Sequence, residues 1–421
     1  MFDVRRLTAI VLFTLVTTVL ASLPGQEVFR YFRNARDLIS YGIIPFLLLF
    51  AYLITVFIRR SPDWLRTGLL GFLIVAVLGG LLSHQIWSRH QSGPATFVID
   101  GAVQTEEAAR FLRTGVNPYS ADYKTTPFGT YLDTFSNGER PNPAWDHYVY
   151  LPGTFLLTVP FQKIAELTIG WFDVRWLYAA GFGLVLLIIG LTVRAPYRDL
   201  ALTLVAFHPY TYRLLLFGVN DYLLLGWLLA GVLLLQNRRL GWSSVCIALA
   251  LSMKQSAWLF IPFYLLAVIR LSQPGQIWTM LRKLWPGLVL TVLLFAPFFL
   301  WSPNAFLDDV WRYANGSAQY SYPASGIGLS QWFVTLGVIK DKYDPYPFWI
   351  FSLLISLPVF IFLLRRQWQS NSPANLLWFY GAALLAYWFV ARYFNDTHLV
   401  FLLTLLGIAA FYPKEPLSQR S

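Results

Sequence analysis

The residues able to do chemistry in this sequence stand where its apolar runs end. Asp100 closes one run and opens "DGAVQTEEAARFLRTGVNPY". Arg213 lies near the end of "HPYTYRLLLF", and Asn220 and Asp221 open the next run, "GVNDYLLLGWLLAG". Lys254 and Gln255 separate two short apolar stretches in "SMKQSAWLFIP", and Arg392, Asn395, Asp396 and His398 crowd "ARYFNDTHLV". A carboxylate held rigidly where a membrane span meets a helix can act as a general base. The cations Arg213, Lys254 and Arg392 suit an anionic ligand. Phosphate is the natural one, because Arg binds it in a fork and Lys as a point charge. Charges this close to a bilayer are costly and mark a site or an ion-pair partner.

Each of these residues also has a purely structural reading. Asp100 could cap the helix that follows it, since a carboxylate there satisfies free N–H groups and the helix dipole. The two readings differ in pKa: a cap lowers it, whereas a base gains from a raised one. Lys254 could pair with Asp221, and Arg392 with Asp396. Glu106 and Arg110 are spaced i,i+4 and can pair on one helix face. The five histidines show no metal-ligand spacing; His147 and His208 read as core or interface residues, and only His398 falls in a candidate site. The single cysteine, Cys246, allows no disulfide within the chain and no cysteine metal site.

The elements that must position these residues belong to a membrane protein. The 421 residues are 57% hydrophobic and only 13% charged, against about 25% charged in soluble chains. Apolar runs long enough to cross a bilayer recur at 7–23, 41–58, 67–87, 174–193, 200–217, 219–236, 242–254, 256–270, 284–301, 346–364, 374–391 and 396–412. The expected fold is therefore all-α and polytopic, with about 12 transmembrane helices. The runs 242–254 and 256–270 are short enough to be one broken helix or a pair.

The net charge of +11 would suggest nucleic acid in a soluble protein. Here the Arg pairs lie between spans and set topology instead. With both termini in the cytoplasm, nearly all the short basic connections fall inside; "RYFRNARD" (30–37) is the exception. Two long segments, 88–173 and 302–345, then face outward. In the first, 102–113 reads as an amphipathic helix on the outer membrane surface, with Val103, Ala108, Phe111 and Leu112 on its apolar face. Gly115 and Asn117-Pro118 should stop it. Residues 149–169 read as a helix lying in or dipping into the interface, because counting them as a span would invert every later basic loop. The stretch 328–339 reads likewise. The organisation is thus an N-terminal helix pair (1–66), a transmembrane module (67–412) and a cytoplasmic tail (413–421).

The order of these motifs resembles the C-type (GT-C) integral-membrane glycosyltransferases, and most closely bacterial polyprenyl-phosphate-dependent mannosyltransferase-like proteins. Asp100 takes the place of the family's acid in the first large external loop. "YLPGTFLLTVP" (150–160) takes the place of its Tyr-Pro-Pro helix start, with Leu151 where the first Pro would stand. "GVND" corresponds to a Gly-Gln-x-Asn/Asp segment, with Val219 replacing Gln. The Lys-bearing short helix and the Arg-bearing turn follow in order. The spans at 7–58 look like an N-terminal addition.

The resemblance implies a reaction. The donor is a sugar on a polyprenyl phosphate, and the acceptor is a glycan or glycolipid hydroxyl. Asp100 acts as base in an inverting displacement. Arg213, Lys254 and Arg392 hold the lipid phosphate, while Asn220, Asp221, Asn395, Asp396, His398 and Glu106 bind sugar or acceptor. No metal is expected, although some relatives use a divalent ion, and no nucleic acid. The site is extracytoplasmic, in a bacterial plasma membrane among its lipids. The competing readings are a transporter or flippase of a lipid-linked or anionic solute, and a non-catalytic scaffold. A transporter is expected to show repeated halves and mid-membrane polar groups, and neither is seen in this sequence.

Overall fold

A computed structural model describes residues 4–21, 43–58, 61–136, 138, 140–271, 275–415 and 417. "RYFRNARD" (30–37), Arg59, Arg60 and Arg420 lie outside them. The protein is 76% helical. Among the described residues, strand is confined to two dipeptides, Ser325–Gly326 and Tyr393–Phe394, which pair in parallel. The expected all-α class holds.

The spans are more broken than the apolar runs suggest. Among the described residues, four helices are long and apolar enough to cross a membrane: Asp63–Ser92, Arg175–Thr192, Phe348–Gln369 and Pro373–Val390. Two bent pairs raise the number to six if each is one span. In the first pair, Ala195–Phe207 and Pro209–Phe217 meet at 52° around His208, because Pro209 supplies no backbone N–H to continue the helix. In the second, Trp285–Trp301 and Pro303–Asn315 turn through 118° at Ser302-Pro303. Five further apolar helices have 10–17 residues, among them Asp221–Gln236, Leu240–Leu251 and Asp396–Phe411. At 1.5 Å per residue such helices reach ~15–26 Å, short of the ~30 Å hydrocarbon layer. The runs 242–254 and 256–270 are indeed separate, as Leu240–Leu251 and a stretch from Gln255 to Leu271.

The two long segments fold together at one end of this bundle. Arg140 bonds Asp341 at 2.8 Å, His147 bonds Asp309, and Tyr343 bonds Asp133, each across the pair of segments. The helix expected at 102–113 is present as Asp100–Arg113 and ends at Gly115, which has φ +80°. Its environment differs from expectation: Gly101 through Ala109 are all buried, including Gln104, Thr105, Glu106 and Glu107. It is packed against the helix Pro152–Ile169 and held inside the protein rather than lying on a membrane surface. Pro152–Ile169 is not among the helices apolar enough to span. The stretch 328–339 holds a short helix, Leu329–Thr335.

Candidate active site

A buried knot of four charges fixes the approach to Asp100. Arg89, near the end of Asp63–Ser92, grips both oxygens of Glu106 at 2.9 and 2.7 Å and reaches Asp173 at 2.9 Å. Arg175 grips the same Asp173 at 2.9 and 2.7 Å. The remaining N–H groups hold backbone: Arg89 Nε donates to Pro94 O at 2.7 Å, and Arg175 Nη1 to Phe97 O and Leu216 O at 2.9 Å each. Ile99 N adds a bond to Phe217 O at 2.8 Å. Burial works against ionising Asp173, but two guanidiniums outweigh it and hold the carboxyl below its ordinary pKa. Phe97 is left-handed at φ +57°, an unusual conformation for a bulky residue and one that persists only when its surroundings impose it. The expected Glu106–Arg110 pair does not form. Glu106 points inward to Arg89, and Arg110 pairs with Glu107 instead, at 2.7 Å.

Asp100 is not the cap of its helix. Ile99 holds that position, and Asp100 is the first helical residue; among the described residues its Oδ1 accepts only the neighbouring Gly101 N–H, at 2.7 Å. A capping carboxylate would reach the second or third N–H. Asp100 is exposed, with protein packed closely enough around its carboxyl to limit its hydration. That surrounding mass pushes its carboxyl above the ordinary pKa, against the smaller opposing effect of the Gly101 bond.

Three of the sequence motifs dock around it. A methyl group at position 101 would overlap the Tyr150 hydroxyl, so Gly101 is what lets the two segments touch. The "YLPG" helix start is sewn to the "SMK" turn by Leu151 N to Met253 O at 3.2 Å and Gly153 N to Ser252 O at 2.8 Å. That stitch brings the Lys254 ammonium over the Tyr150 ring, 5.6 Å from its centre, and Lys254 pairs with Asp221 at 2.6 Å. Lys254 also lies close enough to His398 for the two to interact electrostatically. Tyrosines complete the wall. The Asp100 charge is near enough to Tyr131, Tyr150, Tyr313 and Tyr322 to raise each phenol, which burial raises more strongly. Tyr322 packs on Tyr393 at 4.3 Å, and Tyr393 on His398 at 5.2 Å. The structure therefore gathers Asp100, Asp221, Lys254 and His398 around an aromatic wall that sequence reasoning missed. Tyr150 stood inside a motif read for its proline.

The other expected residues divide. Asn395 and His398 bond each other in a capping box at the start of Asp396–Phe411, which orients the imidazole. Asp396 is exposed and accepts from Thr397 N at 2.9 Å. Asn220 is buried, and its side-chain amide makes no hydrogen bond among the described residues. Glu106 belongs to the knot. Arg213 is exposed, with its guanidinium 5.8 Å from the Phe217 ring centre. Arg392 is filled by backbone: it donates to Tyr322 O at 2.5 Å, Asp344 O at 2.9 Å, Lys342 O at 3.1 Å and Tyr343 O at 3.0 Å. Among the described residues it makes no bond to Asp396; it ties the loop carrying Tyr322 to the strand carrying Tyr393.

One acidic pair went unread. Asp308, Asp309 and His147 place three ligand atoms within 4.8 Å of one another, a donor set that a divalent cation can use. In this structure both Asp309 oxygens are engaged, with His147 Nδ1 at 2.7 Å and Tyr148 N at 2.8 Å.

Residues 108–270 match a family model described as alpha-(1->6)-mannopyranosyltransferase, N-terminal domain. Over this stretch the chain is similar to GT-C-type mannosyltransferases. The matched residues include the YLPG helix start, the Asn220-Asp221 opening and the Lys254 turn, three of the parts assembled around Asp100. The match supports a glycosyltransferase and, with the apolar helices, a membrane protein. No curated protein and no solved structure matches the chain.

Proposed function

We propose that the protein transfers a mannosyl group from a polyprenyl-phosphate donor to a hydroxyl of a glycan or glycolipid, at the extracytoplasmic face of the plasma membrane. Asp100 accepts the proton of the acceptor O–H as that oxygen bonds to the anomeric carbon. The bond from that carbon to the phosphate oxygen breaks, and the lipid phosphate leaves with the electron pair. Lys254 stabilises the charge that grows on it, with Asp221 holding the ammonium in place. A single displacement inverts the anomeric centre, so an α-(1→6) product calls for a β-linked donor. Tyr150, Tyr322 and Tyr393 offer ring faces to the sugar, and His398 and Asn395 offer hydrogen bonds to its hydroxyls. Arg392 supports the wall without touching the phosphate.

The observation that carries the reading is the pairing across Tyr150: an open carboxyl at one side, touching through Gly101, and an ammonium over the ring. The orientation rests on Arg66 and Arg198 both acting on Asp199 at the far end of the bundle, beside the connection at 194–196, as cytoplasmic basic connections do. The test presents the full chain in nanodiscs with polyprenyl-phosphate β-mannose or GDP-mannose, and an α-(1→6)-mannoside acceptor. Extension of the acceptor from the lipid donor alone is expected. Extension from GDP-mannose, or movement of the lipid donor across the bilayer without transfer, would overturn the reading.

A further inference from the structure

At the opposite end of the bundle a second site is built from the N-terminal helices. The helix Asp63–Ser92 has 30 residues, so its two ends stand ~45 Å apart; Asp63 is at this end and Arg89 near the other. Between Val4–Ala21, Ile44–Phe57, the start of Asp63–Ser92 and the start of Ala195–Phe207 lies a cavity of about 380 Å³. That is within the ~300–1,000 Å³ typical of ligand sites. Two cations, Arg5 and Arg66, and two anions, Asp63 and Asp199, line it.

These charges are fixed before any ligand arrives. Arg66 donates to Ser61 O and Ser61 Oγ at 2.8 Å each and pairs with Asp63, which lies 3.7 Å from Arg5. Asp199 is held on the other side by Thr67 Oγ1 at 2.7 Å and Tyr52 Oη at 3.2 Å. Arg5 and Arg66 with their shared partner Asp63 make one side net cationic, Asp199 stands on the other within electrostatic reach of Arg66, and Val56 and Pro196 are apolar walls. Ile54, Phe57 and Trp64 are exposed beside it, an apolar surface suited to lipid, with a tryptophan of the kind that favours the headgroup zone.

We infer that this cavity binds the head of a zwitterionic phospholipid with a primary ammonium, its phosphate on Arg5 and Arg66 and its ammonium on Asp199. An anionic glycerol head would bring no cation to Asp199. A choline head would bring a cation without an N–H to donate. Such a lipid would join the N-terminal pair to the rest of the bundle, giving those helices a role separate from the chemistry at Asp100.

The test is native mass spectrometry of the full chain in detergent, with equimolar phosphatidylethanolamine, phosphatidylcholine and phosphatidylglycerol of matched acyl chains. Retention of phosphatidylethanolamine about ten-fold over each of the others is expected, the scale of one charged hydrogen bond. Val56→Phe, which fills the cavity and leaves all four charges, should abolish that preference, as should Asp199→Asn. Equal retention of the three lipids by the wild-type protein overturns the proposal. So does a folded Val56→Phe protein, checked by circular dichroism, that keeps the preference.

Discussion

Arg89 and Lys254 are both cations within 3 Å of a carboxylate at the same end of the molecule, and they do opposite work. The side chains around Arg89 are closed: Arg89 is 5% exposed, Asp173 1% and Arg175 0%. Every one of these charges is answered by another charge or by a backbone carbonyl. Lys254 keeps 22% of its side chain exposed and has one carboxylate partner; across Tyr150 from it, Asp100 forms no ion pair among the described residues. Residue type and membrane proximity mark both clusters equally. What separates a scaffold from a site is how many hydrogen-bonding positions are left for something else.

The comparison breaks first, and hardest, at the knot. Arg175→Met removes one partner from a buried network and leaves Asp173 under-compensated, a change that costs about 3–5 kcal/mol. Thermal unfolding in detergent should register it as a large loss of stability. Lys254→Met should cost less in the same assay, because its pair with Asp221 keeps more exposure, 22% and 13%, than the closed knot. If the two variants melt alike, the distinction between closed and open clusters fails.

Next in size is Asp100→Asn. Loss of a general base lowers turnover by about 10²-fold or more. The KM for the lipid donor should stay near wild type, because the carboxyl acts on the acceptor. Lowered turnover together with a lost KM would mean that Asp100 holds substrate instead. The pH profile sharpens the same point. The base works as the carboxylate, and its pKa is raised by the protein around it. Activity should therefore fall as pH drops through a value above the usual carboxylate range, and that acid limb should vanish in Asp100→Asn. An acid limb unchanged in the variant would belong to another group.

Local pattern carried part of this architecture. The Asp100–Arg113 helix with its stop at Gly115, and the split before Lys254, are short-range features; the Lys254–Asp221 pair spans 33 positions and is legible because both charges stand at the ends of apolar runs. What failed depended on partners far away in the chain. Glu106 met Arg89, 17 positions back, rather than Arg110 four ahead, and nothing in the helix periodicity favours one over the other. Arg392 bonds carbonyls of residues 322 and 342–344, groups that every sequence has everywhere. Asp173 and Arg175 stand two apart in "WFDVRW", visible as charges opening a span but not as a clamp on Phe97. The tyrosine wall comes from several separate stretches and has no spacing to read.

The smallest effect should come from Arg113, which joins the same two helices as the knot's neighbourhood but from the outside. Its pair with Glu166, at 2.5 Å, ties Asp100–Arg113 to Pro152–Ile169, with the two side chains 27% and 29% exposed. Deeper in the same contact, Gln162 Nε2 donates to Glu106 O at 3.1 Å in full burial. Water can replace Arg113 at Glu166, whereas nothing replaces a buried partner. Arg113→Ala should thus cost about 0.2–1 kcal/mol, an effect that shrinks further as salt screens the wild-type pair. Turnover should be unchanged, because the knot, not this bridge, fixes Asp100. A drop in turnover with only that small loss of stability would show that the outer end of the helix also steers the carboxyl, and the rigid approach assigned to Arg89 and Arg175 would have to be shared with it.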